Sequence, residues 1–163
     1  MVLIKSVSGI RGTIFRDKED NLTLFNILKF TYIYGKYIKK KNSKSKVILG
    51  RDGRASGVHI SKIISSCLSL MGIDVINLGM TSTPTVGLSV SHQRADGGVM
   101  VSASHNSIEW NALKFFNEQG EFLTKEESDS IINYHFKNEK EYFLKKISSP
   151  GKIIFNDDSF DFH

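Results

Sequence analysis

The stretch VILGRDGRAS, residues 47–56, changes its character twice within a short distance. It opens with Val47-Ile48-Leu49, an aliphatic run typical of a short buried strand. The next residues, Gly50-Arg51-Asp52-Gly53-Arg54, combine two glycines with three charges and predict a turn. Ser56 is placed to cap a helix that reaches about Met71. The stretch therefore predicts a strand, a loop and a helix in succession.

The same order of elements recurs further along the chain. Asp74 to Leu78 is a second apolar run, and Pro84 is well placed to open a short helix that carries Val86 to Val90. Gly97 to Val101 is a further strand candidate. This alternation predicts an α/β fold, a layered domain with a mixed, largely parallel sheet covered by helices on both faces.

A late antiparallel hairpin is expected to follow. Asn111 to Phe116 has the composition of a strand, and Glu121 to Leu123 that of a brief return strand after a turn. The sequence TKEE, residues 124–127, matches a capping box and predicts the start of a helix. We expect this helix to run towards Phe136 or Asn138.

The two ends of the chain are less regular. Leu3 to Val7 predicts a strand that leads into a loop containing Ile10-Arg11-Gly12, and an amphipathic helix is expected from Thr23. Ser148 to His163 is interpreted as an exit linker with one short strand at Ile153 to Phe155.

Composition narrows the class of protein. The chain has 163 residues, is 40% hydrophobic and carries a formal net charge of +5. A single domain of this length buries about 70% of its unfolded surface. The clustered positive charges are interpreted as the solvated end of a helix rather than as a nucleic-acid patch, and small anionic substrates remain compatible with them. They are Lys36, Lys39, Lys40, Lys41, Lys44 and Lys46.

Cys67 is the single cysteine, which predicts a reducing compartment. The sequence contains no apolar run long enough to cross a membrane and no recognisable signal peptide. We therefore expect a cytoplasmic protein with neither a nucleic acid nor a membrane as partner.

Three segments that follow predicted strands are candidate site loops, because ligands of α/β domains collect outside the carboxyl ends of strands. Residues 8–12 and residues 50–54 place arginines between glycines, so that guanidinium groups and bare amides can meet an anion together. The third loop, Ser102-Ala103-Ser104-His105-Asn106, offers the Ser104 hydroxyl with little steric cover. A serine hydrolase is disfavoured, because the G-x-S-x-G elbow is absent and no acidic partner stands in an obvious relation to His105. Reversible transfer of a phosphoryl group fits better, since arginine loops can hold its charge.

These residues resemble a known family, the α-D-phosphohexomutases, which include phosphoglucomutase, phosphomannomutase and phosphoglucosamine mutase. The matching segments are residues 8–12, residues 50–57, Gly79 to Pro84 and Gly98 to Phe116. They occur in the family's order over nearly the whole chain, and ordered motifs are more specific than any one of them.

The resemblance implies a mechanism and assigns roles. Ser104 would carry the phosphoryl group, donate it to a hexose monophosphate and take one back from the hexose 1,6-bisphosphate. Arg11 and Lys114 correspond to the family's active-site arginine and lysine, with proton transfer or charge stabilisation as their role. His105 would be catalytic as well. Ser102 and Asn106 would contact substrate or phosphate.

The resemblance also implies parts that this sequence lacks. Members of the family hold Mg²⁺ on an aspartate-rich loop of a second domain, and no Asp-Gly-Asp-x-Asp segment occurs here. Ser104 would supply one metal ligand through its phosphoryl group. We therefore interpret residues 1–147 as the phosphoserine-bearing domain and residues 148–163 as a linker towards the remaining domains of the same polypeptide. Alone, this piece is expected to be inactive.

The sequence also departs from the family at one position of the Ser104 loop. Ser107 stands where the family usually has proline, and this difference removes no chemical group.

Several alternatives stay open at this stage. His105 is equally a loop histidine with satisfied hydrogen bonds, and Lys114 is alternatively a solvated strand residue. Arg51 and Asp52 are expected to form a structural charge pair that fixes their turn. The rival function is a non-catalytic α/β module that binds an anionic sugar phosphate. The resemblance does not separate glucose, mannose and glucosamine phosphates as substrates.

Overall fold

The computed structural model describes residues 3–14, 21–40, 44–135 and 149–156. Seven strands and four helices occupy these residues. The strands are β1 (Ile4–Ser6), β2 (Gly9–Thr13), β3 (Ser45–Arg51), β4 (Ile73–Met80), β5 (Gly97–Val101), β6 (Trp110–Phe116) and β7 (Ile153–Phe155). The helices are α1 (Leu24–Lys39), α2 (Ala55–Leu70), α3 (Thr83–His92) and α4 (Lys125–Ile132). In this described part of the chain, no helix combines the length and the apolar character needed to cross a membrane.

The strands form one mixed sheet in the order β1-β2-β6-β5-β3-β4-β7. Strands β3, β4, β5 and β7 pair in parallel, and β6 runs antiparallel between β5 and β2. Strand β2 therefore points the same way as the parallel group, while β1 and β6 point the opposite way. The predicted mixed, largely parallel sheet is confirmed.

Helices cover both faces of the sheet, as expected. Helices α1, α2 and α4 lie together on one face, which we call the closed face, and α3 packs against β3 and β5 on the other, the open face. Strand β3 is buried between them, with Val47, Ile48 and Leu49 all fully inaccessible to solvent. Burial on both faces explains why the middle strands are continuous hydrophobic runs rather than alternating ones.

Tyr34 locks α1 onto the sheet. Its buried hydroxyl is the hydrogen-bond donor to two carbonyl oxygens, that of Phe116 at 2.7 Å and that of Gly98 at 3.1 Å. The ring stacks on Phe115 with 4.6 Å between centroids. Burial, with the nearby charges of Tyr37, Asp96 and Glu127, raises the pKa of this phenol well above its ordinary value.

Most helix starts follow the sequence, with one exception. Thr124 and Glu127 form the predicted capping box of α4, and Pro84 lies in the first turn of α3. The expected cap at Ser56 is wrong, because α2 begins at Ala55 and Arg54 occupies the N-cap position without a side-chain cap. The Ser56 hydroxyl instead accepts a hydrogen bond from the buried Asn111 side chain.

Other boundaries also differ from expectation. Residues 9–13 form strand β2, so the loop predicted around Arg11 is wrong. Helix α4 ends at Ile132, before Phe136 and Asn138, which lie outside the described residues. The late hairpin is present in reduced form, as a turn followed by an antiparallel bridge between Phe116 and Phe122.

The short strand predicted near the end of the chain is confirmed. Residues 153–155 form β7, which pairs in parallel with β4 at the edge of the sheet. The interpretation of residues 148–163 as a linker stays a prediction.

Candidate active site

The Ser104 loop, residues 102–109, connects the antiparallel strands β5 and β6. Ser102 and Ala103 are buried where the loop leaves the sheet, whereas Ser104 and His105 are exposed. The Ser104 hydroxyl is therefore presented at the surface by a buried base. This arrangement is the one that a reacting side chain needs, because the base limits motion while the hydroxyl stays accessible.

Ser104 has an unusual backbone conformation. Its φ angle is +56°, in the left-handed region that residues with a Cβ rarely adopt. The Ser104 amide donates to the Ser102 hydroxyl at 3.1 Å, and the Asn106 amide donates to the Ala103 carbonyl at 3.2 Å. Such strained residues cluster at functional sites, where the surroundings hold them in place. Ser102 supports the turn, and its predicted contact with phosphate stays a prediction.

Arg11 reaches the Ser104 loop from β2. Its Nη1 atom donates to the Asn106 side-chain oxygen at 3.1 Å, and the side chain is half-buried. In the sheet Arg11 lies opposite Ala112 of β6. The structure thus brings two of the predicted site residues, Arg11 and Asn106, into direct contact.

Lys114 lies on the same face of the sheet as Arg11. It follows Ala112 by two positions on β6, so its side chain is a diagonal neighbour of Arg11. Burial and then the positive charge of Arg11 lower the pKa of Lys114, while Asp52 acts in the opposite direction. Lys114 is half-buried rather than a fully solvated strand residue. A lysine with a lowered pKa is better suited to proton transfer near neutral pH than a free one.

Arg54 binds the Ser104 loop most extensively, although the sequence reasoning gave it no role. Its guanidinium donates to the carbonyl oxygens of Ser104 at 2.9 Å, Asn106 at 2.7 Å and Ser107 at 2.7 Å. Its Nε atom donates to the Asp52 carboxylate at 3.1 Å. The clue in the sequence was the second arginine of the turn at residues 50–54, which lies far from the loop along the chain.

The prediction of a charge pair between Arg51 and Asp52 is wrong. Asp52 pairs with Arg54 instead, and Arg51 donates to the backbone oxygen of Asp52 at 3.0 Å. The Asp52 amide also donates to the carbonyl of Val101, the last residue of β5. Parallel pairing of β3 with β5 thus places the turn beside the Ser104 loop.

His105 is exposed, and it makes no hydrogen bond to any other residue that the structure describes. Both roles considered for it therefore stay open.

The sequence and the fold of the chain match known proteins. Comparison with protein families matches residues 3–142 to the family described as phosphoglucomutase/phosphomannomutase, alpha/beta/alpha domain I. The chain belongs to this family. Family membership had been expected from the ordered motifs, and it is confirmed.

Similar sequences carry related names. A phosphoglucosamine mutase of Helicobacter acinonychis is 36% identical over 84% of this chain, and one of Wolinella succinogenes is 34% identical over 90% of it. The chain spans 30% and 31% of the length of these two relatives. It therefore matches one part of each of these longer relatives.

Solved structures of the family share the fold. A phosphoglucomutase/phosphomannomutase family protein from Burkholderia thailandensis superposes with a TM-score of 0.73, at 19% identity, over 98% of this chain and 35% of its own. The open form of pp63/parafusin from Paramecium, named as a phosphoglucomutase, superposes with a TM-score of 0.67, at 18% identity, over 98% of this chain and 35% of its own.

The residues of this family domain that the structure describes do not form a magnesium site by themselves. Among them, no three His, Cys, Asp or Glu side chains lie together in a group that could hold a metal ion. Mg²⁺ prefers several oxygen ligands in octahedral geometry, and the Asp52 carboxylate is already bound to Arg54. The expected Mg²⁺ stays a prediction that depends on further ligands.

Proposed function

We propose that this chain is the phosphoserine-bearing domain of a mutase that interconverts hexose 1-phosphate and hexose 6-phosphate through a hexose 1,6-bisphosphate. The observation that carries the proposal is the placement of Ser104. Its hydroxyl is exposed at the tip of a loop whose backbone is held by Arg54 and whose Asn106 side chain is held by Arg11. Membership of the family supports the reaction class.

In the proposed reaction a hydroxyl oxygen of the hexose monophosphate attacks the phosphorus atom carried on Ser104 Oγ. The bond from phosphorus to the sugar oxygen forms as the bond to Ser104 Oγ breaks. The proton of the sugar hydroxyl passes to a base, and Ser104 Oγ regains a proton. The bisphosphate then reorients and returns its other phosphoryl group to Ser104, so no phosphate is consumed overall.

Arg11 and Lys114 would stabilise the negative charge of the phosphoryl group during the transfer. A phosphoryl group on Ser104 adds about −1.5 to −2 charge at neutral pH, which nearby cations stabilise. The lowered pKa of Lys114 favours a role in which it exchanges a proton with the reacting oxygen. The Arg11 guanidinium would stabilise the negative charge of the transferred group.

The remaining parts of the proposal lie beyond this domain. The phosphoryl group of Ser104 would supply one oxygen ligand to Mg²⁺, with the other ligands coming from a further domain. That domain would also bind the sugar and decide between glucose, mannose and glucosamine phosphates. The single cysteine supports a reducing compartment, and we propose the cytoplasm.

The test is transfer of labelled phosphate from hexose 1,6-bisphosphate to the full-length protein. We expect one phosphate on the peptide that contains Ser104, and we expect Ser104→Ala to abolish both labelling and mutase activity. Ser107→Ala is the matched control, because Ser107 is exposed on the same loop and only its backbone oxygen is bound by Arg54. It should keep the label.

Two outcomes would contradict the proposal. Mutase turnover that persists in Ser104→Ala would show that this hydroxyl does not carry the phosphoryl group. Binding of hexose phosphate to the wild-type protein, without any label or turnover, would favour the rival function of a non-catalytic binding module.

A further inference from the structure

The side chain of Arg54 is committed to the Ser104 loop rather than open to a ligand. A guanidinium has five N–H donors, and four of them are used here, three on loop carbonyls and one on the Asp52 carboxylate. The Arg54 side chain is 11% exposed. Arg11, in contrast, makes a single hydrogen bond to the loop, through the Asn106 side chain. Most donors of Arg54 are therefore used within the protein, whereas Arg11 uses one donor on the loop.

The contacts of Arg54 fix the orientation of three peptide groups in the loop. In a trans peptide the N–H points away from the C=O, so carbonyls aimed at Arg54 turn the following amides away from it. These are the amides of His105, Ser107 and Ile108, which lie on exposed residues. The guanidinium thus sets which side of the loop presents donors and which presents acceptors.

The loop needs this support because its own bonds are few. Ser104 has a positive φ angle without being a glycine, a conformation that persists only when the surroundings impose it. The internal hydrogen bonds to Ser102 and Ala103 hold the first half of the loop, and in the second half the Trp110 amide donates to the Ser107 carbonyl at 3.0 Å. Arg54 holds the second half and closes it against the turn at residues 50–54.

Asp52 keeps the Arg54 side chain in position. One carboxylate oxygen accepts from Nε of Arg54 and the other from its backbone amide. The Asp52 amide is bonded to Val101 at the base of the Ser104 loop. The guanidinium is therefore anchored to the same strand end from which the loop departs.

We infer that Arg54 is a positioning residue for phosphoryl transfer, which acts by holding the backbone of the Ser104 loop and does not itself bind the substrate. This inference rests on the proposed function of Ser104. It assigns the arginine of the turn to the geometry of the reacting hydroxyl. The affinity of the protein for its sugar phosphate would owe little to Arg54.

The test uses Arg54→Lys in the full-length protein, because lysine keeps the charge but cannot span three carbonyls. In single-turnover labelling with hexose 1,6-bisphosphate, we expect the rate of Ser104 phosphorylation to fall about 100-fold, the size typical of a misplaced reacting group. The labelled fraction should still reach that of the wild type, and KM for hexose phosphate should stay within about threefold. Arg51→Lys is the matched control, since Arg51 lies on the same turn and, among the described residues, its side chain donates to the Asp52 backbone oxygen rather than to the Ser104 loop. Its labelling rate should stay within about threefold of wild type.

Different results separate the possible failures. A merely structural role would lower the labelled fraction and leave the rate per labelled molecule unchanged, and that would overturn the inference. A large rise in KM with an unchanged labelling rate would make Arg54 a substrate ligand and would also overturn it.

A second measurement does not depend on the chemistry. Hydrogen exchange of the amides of Ser104 and Asn106 should become at least about tenfold faster in Arg54→Lys than in wild type, while strand amides keep their protection. Unchanged exchange at these amides would overturn the inference even if Ser104 proved not to be phosphorylated. An absence of label in the wild-type protein, with faster exchange in the variant, would refute the proposed function and with it the role of Arg54 in phosphoryl transfer, while the support of the loop backbone by Arg54 would stand.

Discussion

The two faces of the central sheet differ in how completely helices cover them. The closed face carries α1, α2 and α4 over a continuous core, whereas α3 packs on β3 and β5 of the open face. Strand β6 contributes to both faces, with Leu113 in the core of the closed face and Lys114 half-buried on the other. Successive side chains of a strand point to opposite faces, so under the proposed function these adjacent residues would serve stability and chemistry separately.

The largest effect should come from the closed face. Leu113 is fully buried there, so Leu113→Ala should lower the free energy of unfolding by about 2–5 kcal/mol, through lost burial and the cavity left behind. Urea denaturation followed by circular dichroism measures this loss. A change below about 1 kcal/mol would mean that the core collapses around the smaller side chain, and the two faces would then differ less than we infer.

A smaller loss is expected for the hydroxyl that joins α1 to the sheet. Tyr34→Phe removes the donor to the carbonyls of Gly98 and Phe116 while keeping the stacked ring. The expected cost is about 1–2 kcal/mol, because both buried acceptors lose a partner. The same denaturation experiment applies. An unchanged midpoint would show that the closed face holds α1 by apolar packing alone.

The smallest effect, and one of opposite sign, is expected on the open face. Burial and Arg11 lower the pKa of Lys114, which means that its charged form is disfavoured in the folded protein. Lys114→Met should therefore raise the melting temperature slightly at neutral pH, and under the proposed function it should reduce mutase activity strongly. The effect on stability is small because the side chain is partly solvated.

The pH dependence gives this last prediction a sharper form. In the wild type the unfolded chain binds more protons at Lys114 than the folded one between the lowered and the ordinary pKa, so wild-type stability rises with pH in that window. The difference in melting temperature between Lys114→Met and wild type should accordingly shrink from about pH 7 to about pH 10. A difference that grows with pH would contradict the assignment of the lowered pKa.

The sequence was sufficient to predict those elements that depend on interactions between residues close together along the chain. The capping box at Thr124 and the strand at residues 47–49 follow from side chains within a few positions of each other. Contacts between distant residues were beyond such signals. Arg11 was expected in a loop because glycines flank it, but its segment becomes a strand by pairing with β6, whose residues are remote in sequence.

The candidate site shows the same division. The Ser104 loop and the resemblance of its motif were visible in the sequence, and the contact of Arg11 with Asn106 agrees with their joint assignment to the site. The bonds of Arg54 were not foreseeable, because they depend on the parallel pairing of β3 with β5. The positive φ angle of Ser104 was not foreseeable either, because serine seldom adopts this conformation and nothing in the sequence marks it.

The position of β2 in the sheet has a consequence for synthesis of the protein. Its neighbours are β1, which precedes it, and β6, which begins at Trp110. The ribosome adds about 5–20 residues per second, so the hairpin of β1 and β2 waits about 5–20 s for its second neighbour. During that interval one edge of β2 is open to mispairing with other strands. Arg11 on β2 therefore reaches the Ser104 loop only after most of the domain has left the ribosome.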